Sequence, residues 1–111
     1  MVIRFKERNG TLIVYMSGEL DHHSAEESRI RIDNKIDELG VHNILFDFGG
    51  VNFMDSSGIG VVIGRYKKVV DFGGKAGITN MSPVIKKIFE IGGLFKLDKE
   101  YKSLEEALES L

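Results

Sequence analysis

Two serines beside an aspartate, in the stretch FMDSSGIG (53–60), are the residues of this sequence best suited to carry chemistry. A carboxylate at Asp55 next to the hydroxyls of Ser56 and Ser57 is compatible with a catalytic nucleophile, a helix cap or an acceptor of phosphate. An apolar segment precedes these side chains and a helical pattern follows, so we expect them where a strand ends and a helix begins. Ligand and partner sites gather at that edge of a parallel α/β sheet.

Nucleophilic catalysis is the weaker interpretation. A serine nucleophile needs a base within hydrogen-bond reach, and His22 and His23 are the candidates. However, the α/β-hydrolases carry their serine in the motif Gly-x-Ser-x-Gly. When Ser56 is aligned with that serine, Met54 stands where the motif has its first glycine. A chain of 111 residues also leaves little room for a substrate pocket and an oxyanion hole.

Metal and phosphate-loop chemistry are also disfavoured. In the stretch ELDHHS (19–24), neighbouring histidines point in different directions, and the third histidine, His42, precedes another predicted strand. The stretch GIGVVIG (58–64) lacks the lysine and serine of a Walker loop and lies within a predicted helix. We expect neither a metal nor a cofactor.

Composition indicates one globular domain that spans residues 1–111. The sequence is 42% hydrophobic and 29% charged, which is ordinary for a chain that buries a core. A net charge of −2 gives no general attraction to nucleic acid or anionic membrane. The sequence contains no cysteine and shows neither a signal peptide nor an apolar run of transmembrane length. We therefore expect a cytoplasmic protein, monomeric when free.

Hydrophobic periodicity and turn signals predict the element order ββαβαβαβα. Asn9-Gly10 predicts a hairpin, Gly40 ends the first helix, and capping boxes start two helices at Ser24 and Ser103. Ser82 and the proline that follows it start another helix. The predicted segments after the hairpin are SAEESRIRIDNKIDEL (helix), HNILFDF (strand), SSGIGVVIGRYKKVVDF (helix), KAGIT (strand), VIKKIFEIG (helix), LFKLD (strand) and SLEEALESL (helix).

This alternation predicts the fold class. Strands joined by helices make right-handed crossovers in a mostly parallel sheet, and the hairpin adds an antiparallel edge strand. We therefore expect a single small α/β domain with a mixed sheet.

The second helix has an unusual composition on its outer side. Its predicted buried stripe is Ile59, Val62, Ile63, Tyr66 and Val70. The opposite face would carry Ser57, Gly60, Val61, Gly64 and Lys68. Each glycine costs roughly 1 kcal/mol relative to alanine in a helix. Either the glycines allow close packing within the domain, or they form a flat docking surface. Because this face begins at the serines, we favour the docking surface.

A regulatory role is compatible with capping. We expect Ser56 to cap the helix, and a phosphate on its hydroxyl would lie at a helix N-terminus, which tolerates an anion. Phosphate adds roughly −1.5 to −2 charges at pH 7. Placed beside Asp55, that charge would repel a partner docked on the glycine-containing face.

Three motifs resemble a known family. The stretches GELDHHSAE (18–26), FMDSSGIGVVIGRYK (53–67) and SPVIKKIFEIGGLFK (82–96) resemble the anti-sigma factor antagonists, which are bacterial STAS-domain proteins, and their sporulation branch in particular. The resemblance implies a small sheet with alternating helices. It implies that the unphosphorylated protein binds an anti-sigma factor and thereby frees a sigma factor. It further implies that the anti-sigma factor is an ATP-dependent serine kinase that phosphorylates the antagonist, and that a metal-dependent serine phosphatase resets it.

The resemblance also implies residue roles. The phosphate acceptor is the serine that follows the motif aspartate, here Ser56. Together with the glycine-containing face of the second helix, these roles give the predicted partner-binding residues, which are Asp21, Asp55, Ser57, Gly58, Gly60, Val61, Gly64 and Arg65. Three other functions stay open: an antagonist for a stress sigma factor, a small nucleotide-binding module, and a two-component receiver.

Overall fold

The computed structural model describes residues 1–91 and 99–111. The elements of this part are β1 (Val2–Arg8), β2 (Thr11–Leu20), α1 (Ala25–Leu39), β3 (Asn43–Met54), α2 (Ser56–Asp71), β4 (Ala76–Thr79), α3 (Pro83–Ile91), β5 (Lys99–Tyr101) and α4 (Leu104–Ser110). This order confirms the predicted ββαβαβαβα pattern. The predicted strand LFKLD (94–98) lies outside the described residues, and β5 begins directly after it.

The predicted hairpin is confirmed. β1 pairs antiparallel with β2 from Val2 opposite Ser17 to Arg8 opposite Thr11. The two loop residues, Asn9 and Gly10, have φ angles of 51° and 81°. Positive φ at both loop residues is what a tight two-residue turn between twisted strands requires.

The five strands form one mixed sheet in the order β1-β2-β3-β4-β5. β2, β3, β4 and β5 are parallel, with Val14 opposite Phe46 and Phe46 opposite Ile78. The main core lies between this sheet and α1, α2 and α3. A second cluster around Leu45, Tyr101 and Ala107 packs α4 on the sheet. Because every parallel strand ends at the same edge, the segments after β2, β3 and β4 come together there.

Most predicted helix ends are confirmed. Gly40 ends α1 with a φ of 62°. The hydroxyls of Ser82 and Ser103 accept N–H bonds at 3.3 Å from Ile85 and at 3.1 Å from Glu106. These contacts satisfy amides that a helix start leaves unpaired.

The predicted cap at Ser24 is wrong. Ser24 makes no side-chain cap hydrogen bond to α1. Its hydroxyl instead donates to the Glu19 carbonyl at 2.7 Å and accepts the Asp21 N–H at 3.1 Å. The side chain therefore closes the loop before the helix, because nearby backbone groups compete for a serine hydroxyl.

Within the described part of the chain, no helix combines the length and apolar character needed to cross a membrane.

Candidate functional site

Asp55 is the residue that caps α2. It follows the last residue of β3 in an extended conformation, with φ −115° and ψ −170°. Its Oδ1 accepts the N–H of Ser57 at 2.9 Å and that of Gly58 at 3.4 Å. A carboxylate here also interacts favourably with the positive end of the helix dipole. The prediction that Ser56 caps the helix is therefore wrong, because β3 continues through Met54 and leaves the non-helical cap position to Asp55.

Ser56 occupies the first helical position and is exposed. Ser57, the next residue, is half-buried. Since Asp55 supplies the cap, the helix does not need the Ser56 hydroxyl for its own stability. Ser56 thus presents a hydroxyl at the surface, at the positive end of a sixteen-residue helix.

Asp21 organises the loop between β2 and α1. Its Oδ1 accepts the N–H of His23 at 2.9 Å and that of Ser24 at 3.1 Å. Burial alone would raise the pKa of Asp21, but these two N–H groups and the imidazoles of His23 and His22 hold that pKa below its usual value. The loop therefore carries an ionised carboxylate at neutral pH.

A second set of contacts joins this loop to the start of α2. The His22 N–H donates to Asp55 Oδ2 at 3.3 Å, and His22 Nδ1 lies 4.0 Å from the same oxygen. The Asp55 N–H donates to the Leu20 carbonyl at 3.3 Å. Since Leu20 is opposite Met54 in the sheet, the ends of β2 and β3 hold the two segments side by side. The structure thus brings the segments of Asp21 and Ser56 together, as the motifs predicted.

The buried stripe of α2 is one residue earlier than predicted. Its buried residues are Gly58, Val61, Val62, Arg65 and Val69. A shift of one residue rotates the helix by about 100°. Val61, which is 4% exposed, lies in the core, and Val70 is exposed. The prediction that Val61 lies on the outer face is therefore wrong.

Arg65 is also buried, which contradicts its predicted position on the partner-binding surface. It is 7% exposed, and its Nε lies 2.7 Å from Oδ1 of Asp33 on α1. These two atoms form a close ionic contact without the alignment of a hydrogen bond. Burial lowers the pKa of Arg65; the Asp33 carboxylate opposes this effect and Arg29 adds to it. A guanidinium remains charged nonetheless, so Arg65 links α2 to α1.

The three glycines of α2 near the serines differ in their surroundings. A Cβ on Gly58 would lie 2.5 Å from Met54 Cγ and 2.7 Å from the Leu20 carbonyl oxygen. Gly58 therefore belongs to the packed interior and not to the predicted low-relief surface. Among the described residues, a Cβ on Gly60 or Gly64 would meet no atom within 4 Å.

Ser56, Gly60 and Gly64 are spaced four residues apart and so share one side of the helix. We call these three residues the outer face of α2. Contacts in the described part of the domain give no packing reason for its two glycines.

Sequence reasoning missed two residues at this site. One is His22, which was considered only as a base or metal ligand. The other is Phe53, which is 48% exposed directly before Met54 and Asp55. The pairing of β2 with β3 shifts register between Gly18 and Glu19, and this irregularity exposes both Asn52 and Phe53. Local alternation does not reveal such a bulge.

In the part of the chain that the structure describes, no group of three or more histidine and acidic side chains could hold a metal ion.

Comparison with known proteins gives consistent matches over almost the whole chain. The family model of the STAS domain matches residues 2–107. An anti-sigma F factor antagonist from Paenibacillus polymyxa is 36% identical over 109 residues, which cover 98% of this chain and 93% of the relative. An anti-sigma-B factor antagonist from Bacillus subtilis is 32% identical over 89 residues, which cover 80% of each chain.

The fold also matches that of a solved protein, the Bacillus cell fate determinant SpoIIAA. Its phosphorylated form is 32% identical with a TM-score of 0.77, and the match covers 98% of both chains.

Proposed function

This chain belongs to the STAS-domain family as an anti-sigma factor antagonist of the SpoIIAA type, and from that premise we propose that it is a partner switch controlled by phosphorylation of Ser56. In the unphosphorylated state it binds an anti-sigma factor and frees a sporulation sigma factor. The anti-sigma factor is a serine kinase that phosphorylates Ser56 and is thereby released. A serine phosphatase removes the phosphate and restores binding. The cytoplasm, where a sigma factor acts, is the compartment that this switch requires.

The position of Ser56 is the observation that carries the proposal. Its side chain is exposed at the first position of α2, while Asp55 supplies the helix cap. Phosphoryl transfer depends on positioning and on electrostatic stabilisation by the kinase. The kinase provides the catalytic base, magnesium and ATP, and this chain provides a hydroxyl and the surface around it. The proposal thus assigns no enzymatic activity to the chain itself.

The exposed surroundings of Ser56 are the proposed docking surface. It consists of the outer face of α2, Ser57 and the loop carboxylate of Asp21. At Gly60 and Gly64 the partner can approach the helix backbone closely, because glycine has no side chain. The buried residues Gly58, Val61 and Arg65 take part by fixing the position of α2, and Asp55 by capping it.

Phosphorylation changes the charge of this surface. The phosphate places roughly −1.5 to −2 charges next to Asp55, on the loop side that also carries Asp21. A partner bound there would meet charge repulsion and would have to desolvate a dianion. We therefore propose that release follows from local electrostatics, without a rearrangement of the fold.

The experiment that tests the proposal is intact mass measurement after incubation with the cognate anti-sigma kinase and Mg-ATP. Wild type and Ser57→Ala should each gain one phosphate, and Ser56→Ala should gain none. Ser57→Ala is the matched control, since it removes the neighbouring hydroxyl. If Ser56→Ala is phosphorylated like wild type, Ser56 is not the acceptor and the proposal fails.

A stress sigma factor is the second candidate target, favoured by the 32% identity to the anti-sigma-B factor antagonist. Binding of the unphosphorylated chain to anti-sigma factors of both types, measured by calorimetry, separates the candidates. Tighter binding to the sporulation anti-sigma factor supports the first; the reverse order supports the second.

A further inference from the structure

A phosphate on Ser56 would enter a place that already holds a carboxylate. Asp55 Oδ1 occupies the N–H groups of Ser57 and Gly58, which a phosphate at a helix N-terminus would otherwise use. The helix dipole still favours an anion, but these two amides are engaged and Asp55 adds a like charge. A cation nearby would therefore stabilise the phosphorylated state.

Lysine and arginine are absent from the segments that follow β2, β3 and β4; Lys102 follows β5, which lies beyond β4 in the sheet. Residues 21–24, 55 and 80–82, which follow β2, β3 and β4, have the sequences DHHS, D and NMS. Along α2 the first cationic side chain is Arg65, nine residues beyond Ser56 and thus about 14 Å further along the axis. Arg65 is buried and engaged with Asp33. In the segments that follow β2, β3 and β4, the side chains that can become cations are the imidazoles of His22 and His23.

His22 is the imidazole that faces α2. Its Nδ1 lies 4.0 Å from Asp55 Oδ2, the oxygen that also accepts the His22 N–H. The ring is 70% exposed and thus free to move toward the neighbouring residue, Ser56. The ionisable groups that face His22 are Asp55 at the cap of α2, and Asp21 and His23 from its own loop.

His23 provides a contrast within the same loop. Its ring centroid is 3.9 Å from that of His22, but its N–H donates to Asp21 instead of Asp55. The two histidines are therefore alike in chemistry and in sequence position, and different in the residue that they contact.

We propose that the protonated His22 imidazole is the counter-ion of phospho-Ser56, so that phosphorylation recruits a proton to this ring. The inference rests on the proposed function, since it requires a phosphate on Ser56. Histidine changes charge within the physiological pH range, so the phosphorylated end of α2 becomes sensitive to pH. The contact also keeps the loop of residues 21–24 against α2 in the phosphorylated state.

The test is a ³¹P NMR titration between pH 4.5 and 8.5 of protein with phosphoserine incorporated at position 56 during translation. The second ionisation of phosphoserine has a pKa of about 6. A cation nearby favours the dianion, so the midpoint in wild type should lie about half a pH unit below that in His22→Gln. His23→Gln is the matched control and should titrate like wild type. Amide spectra of each variant check the fold.

Two results would overturn the inference. One is coincidence of the wild-type and His22→Gln titrations, and the other is a larger shift in His23→Gln. Because the phosphate is introduced without a kinase, the titration does not depend on phosphorylation in the mass experiment. Failure of the partner switch and failure of the His22 contact are thus separate outcomes.

Discussion

The buried and the outer faces of α2 both carry glycine, for opposite physical reasons. Gly58 is packed so closely against Met54 and Leu20 that no side chain fits. Gly60 lies two residues later, and a Cβ there would meet no atom of the described chain within 4 Å. One glycine is thus required by the fold, whereas the other weakens the helix without a packing benefit in the described part of the domain.

The same contrast applies to the charged residues of α2. Arg65 lies inside the α1–α2 interface with Asp33, and Lys68 pairs at 3.1 Å with Asp37, whose side chain is 65% exposed. Residue type alone therefore does not separate fold from function on this helix. An arginine can belong to the interior and a glycine to the surface, so only the surroundings of each residue assign its role.

The largest expected effect on stability comes from removing the ion pair between α1 and α2. We expect Arg65→Met to lower the free energy of unfolding by about 3 kcal/mol, because the Asp33 carboxylate would remain largely buried without its main partner. Lys68→Met is the control, because its partner Asp37 is 65% exposed, and it should cost at most about 1 kcal/mol. Urea denaturation measures both values. Equal losses in the two variants would show that burial does not distinguish these pairs.

The next effect concerns the buried glycine. We expect Gly58→Ala to destabilise the domain by about 1–3 kcal/mol, because the backbone carbonyl of Leu20 cannot move aside as easily as a side chain. Leu20 directly precedes the loop of Asp21, so the variant should also weaken anti-sigma factor binding. Thermal unfolding measures the change in stability, and calorimetry measures the change in binding. An unchanged melting temperature would mean that the packing around Gly58 is loose.

Local patterns predicted the element order but not the orientation of α2. Turn and cap signals at Gly40, Ser82 and Ser103 depend on neighbouring residues, and all three are confirmed. The buried stripe depends on Asp33, which is 32 residues away from Arg65 and makes the burial of a guanidinium possible. A hydrophobic pattern assigns arginine to the exposed side of a helix. For this reason the predicted buried stripe was displaced by one residue.

The candidate site, like the fold, was predicted only in part. The motifs identified the segments of Asp21 and Ser56, and the sheet brings these segments together. Which residue caps α2 was not predictable, because aspartate and serine are equally good caps and the end of β3 decides between them. The contact of His22 with Asp55 joins residues 33 apart, so it could be found only in three dimensions.

The smallest expected change in stability concerns the outer face. It tests directly whether Gly60 and Gly64 differ from the buried Gly58. Alanine is better than glycine in a helix by roughly 1 kcal/mol, and nothing in the described chain obstructs a methyl group at Gly60 or Gly64. We therefore expect Gly60→Ala and Gly64→Ala each to stabilise the domain by about 0.5–1 kcal/mol. Urea denaturation of each variant measures this gain.

The same two variants should weaken anti-sigma factor binding at least about tenfold, or 1.4 kcal/mol, since each methyl group stands between the helix backbone and the partner. Lys6→Ala, an exposed residue on the edge strand β1, is the control and should leave binding unchanged. Opposite signs for stability and binding would establish that these glycines are kept for the partner. A gain in stability with unchanged binding would place the docking surface elsewhere.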